Sequence, residues 1–221
     1  MRPRASTPEE LADLVAARGV RDERVLAAVR AMPRAAFAPP EERHLAYDDG
    51  PLVIGLGQVT TQPSLVAAMI EALELSGEER VLEVGTGLGW QTALLATLAR
   101  EVWSVERFAE LADAARRSLA AEGIENAQVV VGDGSEGLAE PAPFEAIVVT
   151  AAYPDVPGPL VEQLATGGRL VQPIGSGGHE EVVLFEREPD GLAPRRTLTG
   201  ARFVRLYGRH GFAESAALGS A

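Results

Sequence analysis

A glycine-rich turn is the first feature of the chain that could do chemistry. It reads Glu83-Val-Gly-Thr-Gly-Leu-Gly89 and directly follows a short apolar run. Glycines in such a turn let the backbone bend sharply and approach a ligand without interference from Cβ atoms. The N-terminus of the helix that should follow favours a carboxylate or a phosphate. Taken alone, the pattern is also typical of an ordinary tight connection between a strand and a helix.

Two acidic residues further along the chain narrow this interpretation. Glu106 ends an apolar run about twenty residues after the glycines, where a carboxylate can accept both ribose hydroxyls of a nucleoside. Asp133-Gly134 follows the next apolar run and is placed to meet an adenine, although it is equally typical of a plain turn. A dinucleotide fingerprint would read G-x-G-x-x-G, but here the third glycine comes one residue early and Trp90 takes the expected position.

The composition excludes several kinds of chemistry. All 20 basic residues are arginine and there is no cysteine, which excludes Schiff-base lysines, thiol nucleophiles and cysteine-ligated zinc. The three histidines, at positions 44, 179 and 210, lack metal-ligand spacing, so we expect no metal. The net charge of −12 counts against a nucleic-acid partner. No apolar run has the length of a signal peptide or a membrane span, which predicts a cytoplasmic protein.

The chain begins with two predicted helices and continues as alternating strands and helices. Thr7, Pro8 and Glu10 form a capping box for the first helix, and the second begins at Asp22 and stops at Pro33. An ordered but irregular stretch is expected at 37–57. Strands are predicted at 80–84, 102–106, 127–131, 146–150, 169–172 and 181–185, and helices from 64, at 91–98, at 111–121 and at 159–164.

This order predicts an α/β fold with a mainly parallel central sheet and helices on both faces. We expect a helical N-terminal segment with a substrate-site loop over 1–62, packed on a main domain over 63–212, and a flexible tail over 213–221.

The glycine turn, Glu106 and Asp133 together resemble the Rossmann-like S-adenosylmethionine-dependent methyltransferases. The resemblance implies S-adenosylmethionine as cofactor. The residues that it assigns to the cofactor are Glu83, Gly85, Thr86, Gly87, Gly89, Glu106, Arg107, Asp133 and Gly134. Enzymes of this class that methylate amino nitrogens carry an Asn- or Asp-Pro-Pro-aromatic stretch after the fourth strand. Here that place reads Thr150-Ala-Ala-Tyr-Pro154, which offers no amide or carboxylate to hold an amine.

The stretch from Ala46 to Pro63 resembles the signature of protein-L-isoaspartate O-methyltransferases, roughly A-Y-x-D-x-P-L-P-I-G-x-G-Q-T-I-S-Q-P. Further matches, among them Met32-Pro-Arg-Ala-Ala-Phe37, extend the likeness over nearly the whole chain. Three places depart from the pattern. Val59-Thr60-Thr61 stands where the family has Thr-Ile-Ser, and Val53 and Arg205 each stand where the family has proline. Thr61 therefore stands for the active-site serine, and its extra methyl group predicts a narrower or redirected pocket.

The resemblance implies methyl esterification of isoaspartyl proteins or peptides, after which the ester collapses to a succinimide and reopens partly to normal aspartate. A carboxylate is already ionised near neutral pH, so the reaction needs no general base. The family assigns catalysis to Thr61. It assigns substrate binding to Gln58, Val59, Thr60, Thr61, Val204 and Leu206. Without the family, Thr60 and Thr61 would be interpreted as helix caps before Pro63.

Two other functions stay open at the level of sequence. A relative of this family could methylate one chosen aspartate of a ribosomally made peptide to install a succinimide, and the altered Val59-Thr60-Thr61 motif keeps that alternative open. A cofactor-binding module without catalysis would also combine an intact glycine turn with a changed substrate motif.

Overall fold

The computed structural model describes residues 5–213, so residues 214–221 of the expected tail lie outside the described part of the chain. The helices are α1 (Pro8–Ala17), α2 (Glu23–Ala31), α3 (Pro63–Leu73), α4 (Trp90–Leu98), α5 (Ala109–Ala121) and α6 (Gly158–Gln163). The strands are β1 (Val53–Gly55), β2 (Gln58–Val59), β3 (Arg80–Val84), β4 (Glu101–Glu106), β5 (Ala127–Val131), β6 (Phe144–Val149), β7 (Leu164–Ile174), β8 (Glu180–Glu188) and β9 (Gly191–Ala201).

Seven strands form one sheet in the order β5-β4-β3-β6-β7-β8-β9. The pairs from β5 to β7 are parallel, and β8 and β9 add to the sheet antiparallel. The prediction of a mainly parallel sheet is confirmed. β9 was not predicted, because an edge strand that carries Pro194 and two arginines has the composition of a loop.

Alternate residues of the central strands point to opposite faces of the sheet, and helices cover both faces. Val81 and Val148 pack into a large core with α1 to α4, whereas Leu82 and Ile147 pack into a second core that includes Leu160 of α6. The inner strands β3 and β6 therefore place apolar side chains on both faces of the sheet, as expected of strands buried on both sides.

The N-terminal helices begin where their caps predict. The Thr7 hydroxyl accepts a hydrogen bond from the Glu10 amide at 3.2 Å, and the Asp22 carboxylate accepts one from the Arg24 amide at 2.8 Å. Both helices contribute to the core that α3 and α4 share. The following segment is irregular but ordered, with 3-10 turns at Arg34–Phe37 and Pro40–Leu45 and the small antiparallel hairpin of β1 and β2.

Candidate functional site

A cleft of about 990 Å³, open to solvent, lies where β3, β4 and β6 end. In an open parallel sheet, this edge is where ligands bind. Three parts of the chain border the cleft: the glycine loop (85–89), the substrate-side loop (46–62, which includes the β1–β2 hairpin) and the C-terminal segment (202–212). Residues far apart in sequence thus meet around one cavity.

Backbone geometry shapes the glycine loop. The Gly85 amide donates to the Val105 carbonyl at 2.9 Å, which extends the β3–β4 pairing by one residue. Gly87 has a φ of 57°, and a Cβ there would lie 3.3 Å from Ile54 Cδ1 of the hairpin. A Cβ at Gly85 would collide with the Thr150 hydroxyl. Glycine at these two positions therefore lets the loop pass close to Thr150 and Ile54, and the backbone of 85–89 lines the cleft, where a ligand can approach it.

Glu106 ties the glycine loop to the next helix. One carboxylate oxygen accepts from the Gly87 amide at 2.8 Å and the other from the Phe108 amide at 3.0 Å. The side chain lines the cleft although only 5% of the residue's surface is exposed. Each oxygen keeps a lone pair, so this carboxylate can accept two further hydrogen bonds from a diol. The geometry fits a ribose.

Glu83 does not line the cleft; it lies buried beneath the glycine loop. Its carboxyl oxygen Oε2 accepts hydrogen bonds from the Thr92 hydroxyl and, at 2.6 Å, from the Ser104 hydroxyl. The Ser104 hydroxyl also bonds to the Thr86 hydroxyl, so Glu83 reaches the cleft only through this chain. Burial raises the pKa of Glu83 to about 7, against the hydrogen bonds from Ser104 and Thr92 that lower it.

Asp133 is also turned away from the cleft. Its carboxylate accepts from the Ser135 amide at 2.9 Å, the Ser135 hydroxyl at 2.7 Å and the Arg209 amide at 2.7 Å. Burial acts to raise the pKa of Asp133, but the hydrogen bonds from Arg209 and Ser135 outweigh it and hold the pKa below its usual value. These bonds anchor the C-terminal segment, while Gly134 itself lines the cleft. The side chain expected to meet an adenine is thus already committed to protein groups.

Thr60 and Thr61 have different environments although they are neighbours in sequence. The Thr60 hydroxyl accepts from Arg34 at 2.8 Å and from the Leu52 amide at 3.0 Å, so it braces the substrate-side loop. Among residues 5–213 the Thr61 hydroxyl makes no hydrogen bond, and Thr61 lines the cleft. It is therefore the hydroxyl that is available to a substrate.

The interpretation of these threonines as helix caps is wrong. α3 begins at Pro63, and Gln62, not a threonine, occupies the cap position without a side-chain hydrogen bond to the helix backbone. A distant residue performs the capping: the Asp49 carboxylate accepts from the Ser64 amide at 2.9 Å and from the Ser64 hydroxyl at 3.0 Å. The capping group could not be recognised from spacing because it lies fourteen residues before the helix.

Arg34, which sequence reasoning did not single out, is buried at the centre of the substrate-side loop and is 1% exposed. It donates to the carbonyls of Ala46 (3.1 Å), Gly50 (3.0 Å) and Thr61 (3.4 Å), besides its bond to Thr60. Its guanidinium also lies 5.4 Å from the centre of the Trp90 ring at the start of α4. Burial lowers its pKa to about 10, so the group stays charged at neutral pH. The one sequence feature that could have pointed to Arg34 is its position inside the stretch 32–37, which resembles the family's sequence.

The remaining predicted substrate residues meet at the same cleft. Gln58, Val59, Val204 and Leu206 all line it. The C-terminal segment reaches the cleft because Val204 and Leu206 bond to Ala152 on either side, at 2.7 and 2.8 Å. Arg107 also lines the cleft, and its guanidinium lies 5.1 Å from the centre of the ring of Tyr207 in the C-terminal segment.

Long apolar helices and clusters of metal-ligating side chains are both absent from residues 5–213. No helix in that range is long and apolar enough to cross a lipid bilayer. The same part of the chain brings together no three acidic or histidine side chains that could hold a metal ion.

Comparisons with known proteins agree on one family. The family model of protein-L-isoaspartate(D-aspartate) O-methyltransferase matches residues 6–211. The protein-L-isoaspartate O-methyltransferase of Methanoculleus marisnigri is 50% identical over 206 residues, which cover 92% of this chain and 93% of that protein. The enzyme of the same name from Anaeromyxobacter dehalogenans is 52% identical over 199 residues, 89% of this chain and 95% of that protein.

Solved structures give the same result for the fold. A protein-L-isoaspartate O-methyltransferase superposes with a TM-score of 0.82 at 29% identity, covering 93% of this chain and 67% of that one. A second structure, from Plasmodium falciparum in complex with S-adenosyl-L-homocysteine, superposes with a TM-score of 0.78 at 20% identity over 92% of this chain and 99% of its own.

Proposed function

Because this chain belongs to the protein-L-isoaspartate O-methyltransferase family, we propose that it transfers a methyl group from S-adenosylmethionine to the free carboxylate of L-isoaspartyl residues. The observation that carries the proposal is the single cleft in which the glycine loop, Glu106 and the available hydroxyl of Thr61 meet. One cavity thus holds groups suited to a nucleoside beside a group suited to a carboxylate.

The residues of the cleft fit S-adenosylmethionine. Glu106 would accept the ribose hydroxyls, the glycine loop would receive the amino-acid part, and the apolar side chains of Val105 and Leu111 would contact the base. Asp133 would act from behind, because its carboxylate accepts a hydrogen bond from the Arg209 amide and lies against Gly208, while the adjacent Gly134 lines the cleft. When bound, this cofactor supplies a methyl group on a positively charged sulfur, an electrophile that needs no metal.

The Thr61 hydroxyl would orient the substrate carboxylate. A hydroxyl donates one hydrogen bond to a carboxylate oxygen and fixes its direction, and the catalytic gain comes from that alignment. Arg34 donates hydrogen bonds to the Thr61 carbonyl and to the hydroxyl of the preceding Thr60. These bonds fix the backbone that carries the Thr61 hydroxyl. No group in the site has to remove a proton, because the nucleophile is already an anion.

Geometry would also separate isoaspartate from aspartate. In an isoaspartyl linkage the backbone runs through the side chain, so the free carboxylate lies one carbon nearer the main chain. A site that fixes the carboxylate at Thr61 and the peptide against Val204 and Leu206 measures that one-carbon difference. A site built around one hydrogen bond rejects a partner that places the group elsewhere.

Protein repair is the biological role that this activity supports, since the methyl ester collapses to a succinimide and reopens partly to aspartate. Relatives that are about half identical over some nine-tenths of the chain favour repair over dedicated peptide modification and over a non-catalytic module. The exchange at Thr61 keeps the hydroxyl on which the chemistry depends.

Methyl transfer to an isoaspartyl peptide beside its aspartyl twin tests the proposal. We expect incorporation of radiolabelled methyl into the isoaspartyl peptide only, with release of S-adenosylhomocysteine in equal amount. Equal reaction of the two peptides would exclude the repair role, and binding of S-adenosylmethionine without turnover would favour the non-catalytic alternative.

A further inference from the structure

Exposed apolar side chains are concentrated on the β1–β2 hairpin, beside the cleft. Within residues 5–213 four large apolar side chains stay well exposed. Three of them lie on this hairpin: Val53, Leu56 and Val59, with exposed fractions of 60%, 50% and 47%. The fourth, Val131, stands alone at the end of β5 and is 43% exposed. Single exposed apolar residues are ordinary, but a cluster of them marks an interaction site.

The hairpin has two faces, and each carries apolar side chains. Val53 and Val59 are direct partners across the strands, so their side chains share the outer face. Ile54 points the other way, is buried and faces Gly87 of the glycine loop. An antiparallel hairpin with one buried face normally carries polar residues on the other. The outer face therefore has an apolar character that packing inside the fold does not explain.

Leu56 at the tip of the hairpin supports the same interpretation independently. It adopts the left-handed conformation with a φ of 53°, between Gly55 (85°) and Gly57 (70°). This conformation costs a leucine about 1–2 kcal/mol, whereas glycine or asparagine adopts it readily. Half of the surface of this leucine stays exposed, so burial within the fold offsets only part of that cost. Strain that folding does not require is typical of functional positions.

We propose that Val53, Leu56 and Val59 form an apolar docking surface for a side chain that flanks the isoaspartyl residue of the substrate, an inference that rests on the proposed function. The surface is continuous with the cleft, because Val59 lines the cleft and Thr61 follows two residues later. Two extended residues span at most about 7 Å, which is also the reach of a substrate residue one or two positions from the isoaspartate.

The occupant is thus an aliphatic or aromatic side chain in an extended, unfolded stretch of the damaged protein. Folded proteins keep such side chains inside, so this surface selects isoaspartyl residues in segments that have lost their native packing. The enzyme therefore selects its substrates by their local unfolding, through this surface, as well as by their isoaspartyl linkage.

Paired isoaspartyl hexapeptides test the docking surface. Leucine or serine is placed in turn at each of the two positions before and after the isoaspartate, and kcat/KM is measured by radiolabelled methyl transfer. We expect leucine to raise kcat/KM about five- to tenfold at one position at least, mainly through KM, as partial burial of one leucine would. Ratios near one at all four positions, with every peptide methylated, would overturn the docking surface and leave the proposed function intact. Absence of methylation in every peptide would instead overturn the proposed function.

Leu56→Asn is the sharpest variant, because asparagine tolerates the left-handed conformation. We expect the leucine-to-serine ratio to fall about three- to fivefold while the melting temperature stays equal or rises. Val131→Thr removes an exposed valine outside the cleft and should leave the ratio unchanged. An unchanged ratio in Leu56→Asn would overturn the proposal, as would sedimentation showing a wild-type dimer that this variant abolishes, because the face would then bind a second copy.

Discussion

The glycine loop and the substrate-side loop border the same cleft, and each rests on one buried ionisable side chain. Beneath the glycine loop lies Glu83, whose pKa is raised by burial to about 7. Within the substrate-side loop lies Arg34, whose pKa is lowered by burial to about 10. Near neutral pH the first support is poised between neutral and charged, whereas the second stays charged.

The two buried side chains, Glu83 and Arg34, also differ in how far along the chain their hydrogen-bond partners lie. Glu83 bonds to Thr92 and Ser104 on elements directly next to its own strand, so the continuous sheet already fixes most of the glycine loop. Arg34 gathers oxygen atoms from 46 to 61, a stretch with little regular structure. A loop that the sheet does not hold needs a single long side chain with several donors to fix it. We therefore expect disruption of the two supports to have different signatures.

Replacing Arg34 has the largest expected effect. Arg34→Met leaves several buried carbonyls without donors, which should lower the free energy of unfolding by about 3–5 kcal/mol. Chemical denaturation measures the change. The same substitution at the exposed Arg195, which pairs with Glu186 and Glu188 on the far edge of the sheet, should leave the free energy nearly unchanged. Equal effects at the two sites would mean that Arg34 does not organise the loop.

The pH dependence of stability separates the two supports. Between about pH 4.5 and 7 the unfolded chain ionises Glu83 while the folded chain keeps the proton, so this group's contribution to stability falls as the pH rises and is constant above. The free energy of unfolding of the wild type, measured relative to that of Glu83→Gln, should therefore fall by about 3 kcal/mol between about pH 4.5 and 7. The cost of Arg34→Met should stay constant there, because the arginine remains charged. A constant difference for Glu83→Gln would show that its folded and unfolded pKa values agree.

Glu106 tests whether the glycine loop binds the cofactor as proposed. Glu106→Ala removes the acceptor for the ribose hydroxyls and should weaken binding of S-adenosylhomocysteine by about 1.5–3 kcal/mol, as measured by calorimetry. Glu110→Ala, in the first turn of α5 and outside the cleft, is the matched control. Unchanged affinity in Glu106→Ala would contradict the assignment, and a preference for NAD would contradict the cofactor itself.

Thr60 and Thr61 allow the finest comparison, because the same substitution is made at adjacent residues. Thr61→Val should lower turnover about ten- to a hundredfold, or about 1.4–2.7 kcal/mol, with stability and cofactor affinity nearly unchanged. Thr60→Val removes an acceptor from Arg34 and Leu52 and should instead lower the free energy of unfolding by about 1–3 kcal/mol. Thr61→Ser should keep the activity. Normal turnover of Thr61→Val would remove this hydroxyl from the mechanism.

Sequence reasoning located the parts of the site whose positions depend on local patterns. β3 and the glycine turn follow from a short apolar run and from glycine spacing, and Glu106 from its distance to that turn. Local patterns could not reveal the roles of Arg34 and Asp49, or the anchoring of the Arg209 amide by Asp133. Each of these side chains bonds to backbone far away in sequence. An arginine before an alanine pair carries no local sign that it will be buried.

The path of the C-terminal segment has a consequence for how the protein is made. The wall of the cleft formed by 204–207 follows all nine strands in sequence, yet it pairs with Ala152, which comes shortly after β6, and Arg209 just beyond it bonds to Asp133, which comes after β5. During translation the sheet can form strand by strand, but this wall of the cleft can be added only after residues 204–207 have left the ribosome. A nascent chain therefore cannot gain the full stabilisation from a ligand bound in the cleft before residues 204–207 have been made, and its earlier folding steps depend on packing.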